Sequence, residues 1–151
     1  MMKTLILAMG LAGSALGQQR VVVTGVQAPI PESCKREVQI VAAKLPELGP
    51  SEKPWTWVVV CSTKAWDLIV RTAQTEHNTC CAFTILDKGY SYINGVRLLE
   101  PLPAVSPGYI IAHERGHCET GSKSEEDADR WARQKGYEWG KKDALKTTSA
   151  K

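Results

Sequence analysis

The spacing of apolar positions changes several times along the chain, and each change marks a structural element. Cys34, Val38, Val41 and Leu45 recur at three- and four-residue steps, the repeat of one helix face; Ser33 is a candidate N-cap and Pro46 a stop. Residues 55–62 form an apolar, β-branched run without alternation, which predicts a strand buried on both sides. Thr63 can cap a second helix through about residue 74, with Ala65, Trp66, Ile69, Val70 and Ala73 facing inward. A short strand is expected over residues 20–25 and another over 80–86, the latter followed by a turn at Asp87-Lys88-Gly89. Residues 90–93 and 96–99 flank Asn94-Gly95, a strong signal for a tight hairpin. After a loop containing Pro101 and Pro103, Ser106-Pro107 pairs an N-cap with a favoured first helical residue. Gly121 is placed to end that helix, and Ser124 can cap a last one with Asp127 at the third position. The resulting order predicts an α+β domain with a mixed or antiparallel sheet and two helices at its end.

The first 17 residues stand apart from this pattern. They carry Lys3, an apolar run over residues 5–16 and a small-residue ending, Ala15-Leu16-Gly17, the features of a secretory signal peptide. The expectation is therefore an exported chain, secreted or periplasmic, with one domain over residues 18–140 and a polar tail over 141–151. The apolar run is shorter than the roughly 20 residues a membrane span needs, so no stable insertion is expected after cleavage. The formal charge is only +3 and its basic residues are scattered rather than gathered in a stripe, which argues against a nucleic-acid partner. Five cysteines, Cys34, Cys61, Cys80, Cys81 and Cys118, allow two disulfides and one remaining thiol in an oxidising compartment. They lack the paired CxxC spacing of a structural zinc site. On a strand, Cys80 and Cys81 would point to opposite faces and take different partners.

The chemistry is concentrated near the end. Two of the three histidines, His113 and His117, lie four residues apart on the expected helix with Glu114 between them. That spacing places both imidazoles on one face, where they can share a zinc ion while Glu114 takes a proton from a zinc-activated water. A catalytic zinc wants three protein ligands and an open position. No histidine follows His117, so the third ligand comes from Glu119, Glu125, Glu126, Asp127 or Asp129. Glu119 is two residues beyond His117 and rotated away from the histidine face. Glu125 opens the last helix, and its i+4 partner Asp129 can orient a ligand histidine through the other ring nitrogen. Glu126 is the alternative third ligand. Ala128 and Ala132 are small enough to let the two helices pack closely.

His113-Glu114-Arg115-Gly116-His117 followed by Glu125-Glu126-Asp127-Ala128-Asp129 resembles the gluzincin pattern of zinc peptidases, HExxH then ExxxD. The resemblance in motif covers residues 113–129, and the small size and element order are similar to the single-domain minigluzincins. It implies a zincin-like fold, with His113, His117 and Glu125 as zinc ligands, Glu114 as general base and Asp129 supporting a histidine. It further implies hydrolysis of a peptide or protein substrate. The separation of His117 from Glu125 is short for the clan. Gluzincins usually add a Tyr or His that stabilises the oxyanion, and His77, Tyr109 and Tyr137 are the candidates. Arg115 reads as a surface residue, Cys118 as a core or disulfide cysteine, and the five tryptophans as core or groove-lining residues. The competing expectation is an exported zinc-binding module that does not cleave, acting in binding, inhibition or structure.

Overall fold

The computed structural model describes residues 19–27, 29–73, 80–98 and 105–142. The signal-like segment, His77, the loop containing Pro101 and Pro103, and the tail beyond residue 142 lie outside them. Four strands, β1 (Gln19–Thr24), β2 (Trp55–Val60), β3 (Ala82–Ile85) and β4 (Tyr90–Asn94), form one mixed sheet in the order β1-β2-β4-β3. β2 lies parallel to β1 and β4, and β3 closes one edge antiparallel to β4. Four α-helices accompany them: α1 (Glu32–Glu47), α2 (Thr63–Ala73), α3 (Pro107–Thr120) and α4 (Glu125–Gln134). Among the described residues no helix is long and apolar enough to cross a membrane.

The alternation of side chains along β2 assigns its two faces. Trp55, Trp57 and Val59 join Val38, Val41 and Leu45 of α1, Ile110 and Ile111 of α3 and Ala132 of α4 in the larger core. Val58 and Val60 turn the other way and meet Ala65 and Trp66 of α2 with Phe83 of β3. A strand so enclosed has no polar face to show, which explains its unbroken apolar run. The sheet therefore carries α2 on one side and α1, α3 and α4 on the other.

Several local expectations change in the folded chain. Ser33 lies inside α1, whose N-cap is Pro31, and Pro46 sits within the last turn rather than ahead of it. Ser62, not Thr63, caps α2 by accepting the Ala65 amide at 3.1 Å. The hairpin at Asn94-Gly95 does not form. The hairpin is instead β3–β4, turning through a 3-10 segment (Leu86–Lys88) and Gly89 at φ 67°. Asn94 uses its amide to reach the Cys80 carbonyl at 2.9 Å and its side-chain oxygen to accept the Val96 amide at 3.2 Å. Gly95 is needed for space, since a Cβ there would lie 2.9 Å from the Val60 carbonyl oxygen.

The expectation for Cys80 and Cys81 is also corrected: they are joined to each other. Both precede β3, which begins at Ala82, so strand alternation does not separate them. Cys34 and Cys61 form the second disulfide, tying the start of α1 to the end of β2. Cys118 is free and buried, and burial pushes its thiol up to about 11, so it is an inert core residue.

Candidate metal centre

The histidine helix is placed by its ends. Ser106 caps α3 by accepting the Tyr109 amide at 3.1 Å, and Pro107 begins the helix. At the other end Gly121 adopts φ 64° and its amide reaches the His117 carbonyl at 2.9 Å. Lys53, from the loop before β2, donates to the carbonyls of Cys118 at 2.7 Å and Glu119 at 2.9 Å, adding a cation where the helix dipole favours one. A short link through Ser122 then leads to Ser124, which caps α4 by accepting the Asp127 amide.

The two helices touch at glycine. A Cβ on Gly116 would lie 2.7 Å from the carbonyl oxygen and 2.8 Å from the Cα of Ala128. Ala128 and Ala132 are fully buried, as their small size led us to expect. Gly116 thus lets the start of α4 approach the histidine face. Arg115, expected at the surface, is only 1% exposed. Its guanidinium donates to Glu119 at 2.7 Å and to the Gly49 carbonyl at 3.2 Å, which offsets the cost of burying the charge.

On this frame His113, His117 and Glu125 converge, with one potential ligand atom from each lying within 4.8 Å of the others. His113 Nε2 is 2.9 Å from Glu125 Oε2, and His117 Nε2 is 3.6 Å from Glu125 Oε1. The far ring nitrogens are already engaged. His117 Nδ1 donates to the Ser122 carbonyl at 2.8 Å, and His113 Nδ1 donates to Asp129 Oδ1 at 2.7 Å. Both acceptors lack a proton to give, so in each neutral imidazole Nε2 keeps its lone pair. Two such lone pairs and a carboxylate facing one point require either a shared proton or a cation. Two imidazole nitrogens and a carboxylate oxygen form a donor set suited to a metal ion, so the cluster fits one.

The supports of the cluster extend beyond its three members. Tyr109, one turn before His113, donates to Asp129 Oδ1 at 2.5 Å. Burial pushes the Asp129 carboxyl up, but the hydrogen bonds from Tyr109 and His113 more than offset this and hold it below its ordinary value. Burial, followed by the bond to Asp129, raises the Tyr109 phenol well above its usual range, so it remains a donor. Glu114 is buried beside the cluster and accepts from Thr84 at 2.6 Å. Burial raises its pKa against the opposing pull of His113, Thr84 and His117.

The remaining candidates are separated by the fold. Glu126 is exposed and pairs with Arg130 at 3.3 Å, so Glu125 rather than Glu126 joins the histidines. Glu119 is held by Arg115. Tyr137 reaches Glu47 of α1, and Tyr109 is bonded to Asp129; His77 falls outside the described residues. Trp55, Trp57 and Trp66 are core residues, Trp131 packs against the core, and exposed Trp139 meets the Tyr109 ring edge-on at 5.7 Å. Sequence reasoning missed Thr84, the Ser122 carbonyl and the bond between Tyr109 and Asp129. Only the last left a sequence signal, the four-residue step from Tyr109 to His113. No protein-family model matches the chain, and neither a curated protein nor a solved structure does.

Proposed function

We propose that the chain is an exported zinc peptidase of the gluzincin type. The observation that carries this reading is the convergence of His113, His117 and Glu125 with Glu114 buried immediately beside them. His113 and His117 would hold the metal through Nε2, and Glu125 through its carboxylate. A bound zinc supplies a Lewis acid that acidifies water and polarises a carbonyl. Asp129 and the Ser122 carbonyl orient the two imidazoles, and Tyr109 keeps Asp129 in place. Glu114 takes the proton of the attacking water, and its raised pKa suits it to pass that proton to the leaving amine. Glu125 is exposed, which gives a peptide access from the solvent side of the cluster. Export rests on the signal-like residues 1–17.

A second reading, an exported zinc-binding module without hydrolysis, is favoured by one observation. Of the tyrosines proposed for the oxyanion, Tyr109 gives its proton to Asp129 and Tyr137 reaches Glu47. Glu114→Gln separates the two readings. On the peptidase reading the variant keeps its zinc and loses hydrolysis by about 10²–10⁴-fold, the usual contribution of a positioned base. Hydrolysis at an unchanged rate would remove Glu114 from the mechanism. A zinc-loaded wild type inert toward unstructured protein substrates would favour the binding module.

A further inference from the structure

Thr84 does not hold Glu114 alone. Trp55 Nε1 donates to Ser91 Oγ at 2.9 Å, Ser91 Oγ lies 2.7 Å from Thr84 Oγ1, and Thr84 Oγ1 donates to Glu114 Oε2 at 2.6 Å. The three come from β2, β4 and β3, and Thr84 and Ser91 stand directly opposite each other on the antiparallel pair. Trp55 is 7% exposed, Ser91 0% and Glu114 6%.

We propose that Trp55, Ser91 and Thr84 are positioning residues, a hydrogen-bonded chain that holds the Glu114 carboxylate by Oε2. The direction follows from donor chemistry. An indole N–H can only donate, so Ser91 accepts from Trp55, and an ionised carboxylate can only accept, so Thr84 gives its proton to Glu114 Oε2. The hydrogen bond between Ser91 and Thr84 then runs on the Ser91 proton. Each donor polarises the next, and the last bond is strengthened by the charge on its acceptor.

A purely structural role for these hydroxyls is the competing account. The sheet face they occupy is otherwise lined by Trp55, Trp57, Val59, Ala82 and Ile93, where valines would pack at no polar cost. Ser91 and Thr84 could also satisfy each other without involving α3. Instead the Thr84 proton leaves the sheet and crosses to the residue that stands between the two histidines.

This inference rests on Glu114 being the base, and its test includes a readout that needs neither zinc nor activity. The indole N–H resonance of Trp55, assigned with Trp55→Phe, is followed by NMR in the full chain. Glu114→Gln is expected to shift that resonance, and the same change in a Thr84→Val background is expected to leave it in place. In the zinc-loaded protein, Thr84→Val should lower kcat by about 10- to 100-fold, the scale of a misplaced catalytic group, with KM and zinc affinity unchanged. Thr84→Ser, which restores the hydroxyl, should recover most of that loss. Should Thr84→Val not fold, Ser91→Ala breaks the chain one link earlier and carries the same expectations. A Trp55 resonance indifferent to Glu114, or a kcat within about fivefold of wild type in the hydroxyl-free variant, overturns the assignment. In a chain that hydrolyses nothing the resonance alone decides, so a failed peptidase reading and a failed donor chain give different results.

Discussion

Helix α2 buries only Ala65 and Trp66 outright, and the rest of its inward face is the half-buried apolar set Ile69, Val70 and Ala73. Helix α3 buries ten of its residues, and Glu114, Arg115 and His117 are among them. The first helix covers a sheet face and could be exchanged for another of similar pattern. The second carries charge into the core: Glu114 is met by Thr84 from β3, the Arg115 guanidinium by the Gly49 carbonyl and by Glu119 one turn on, with Nη1 left without a hydrogen bond among the described residues, and His117 by the Ser122 carbonyl beyond the helix end. Burying such groups without partners would cost several kcal/mol apiece, which is of the order of a small domain's whole stability. The helix is therefore specified by its surroundings, whereas α2 is specified mainly by its own periodicity.

Gly116 offers the strongest way to break this contrast. Alanine is the better helix former by about 1 kcal/mol, but its Cβ would strike the Ala128 backbone, which cannot move without shifting α4. Overpacking of this kind costs about 1–3 kcal/mol, so after the helix-propensity gain the net change expected for Gly116→Ala is a loss of up to about 2 kcal/mol. Because Glu125 moves with α4, zinc affinity should fall by more than about tenfold, as read by competition with a chelating dye. A more stable variant with unchanged affinity would mean the two helices are not held at this contact.

Asp129 sharpens the comparison at a smaller scale. Asp129→Asn should weaken zinc binding by about 10- to 100-fold, the usual loss when a partner of a ligand histidine is removed, while leaving the helices folded by circular dichroism. Tyr109→Phe acts one bond further out and should cost less, at most about tenfold. Equal affinities in all three proteins would reduce the bonds around His113 to packing. On α2, by contrast, Leu68 is 48% exposed, and Leu68→Ala should change unfolding free energy by no more than about 0.5 kcal/mol in denaturant titration. A much larger loss would show that α2 depends on contacts as closely as α3 does.

The same division governs what was legible from the sequence. Periodicity located α1, α2 and the buried β2, and the punctuation at Ser106-Pro107, Gly121 and Ser124 located both ends of α3 and the start of α4. The short helical spacing of His113 and His117 and the capped start of α4 brought Glu125 within reach. Misreadings arose where a local signal was put to a tertiary use. Asn94-Gly95 reads as a turn, but Gly95 clears the Val60 carbonyl and Asn94 ties down Cys80. Arg115 reads as surface because its i+4 partner Glu119 suits an exposed helical pair, and nothing local reveals that the Gly49 carbonyl will meet it in the core. Trp55, Thr84 and Ser91 were invisible as a group, since Trp55 stands 36 positions from Ser91 and the three meet only through strand register.

The central claim, that these two helices build a metal site through Glu125, is tested most directly by elemental analysis. The purified chain and its Glu125→Ala and Glu126→Ala variants are reconstituted with zinc and freed of excess metal. Wild type and Glu126→Ala should each retain about one zinc per chain, and Glu125→Ala should lose most of it. No zinc on the folded wild type, or zinc lost from Glu126→Ala and kept by Glu125→Ala, would contradict the account.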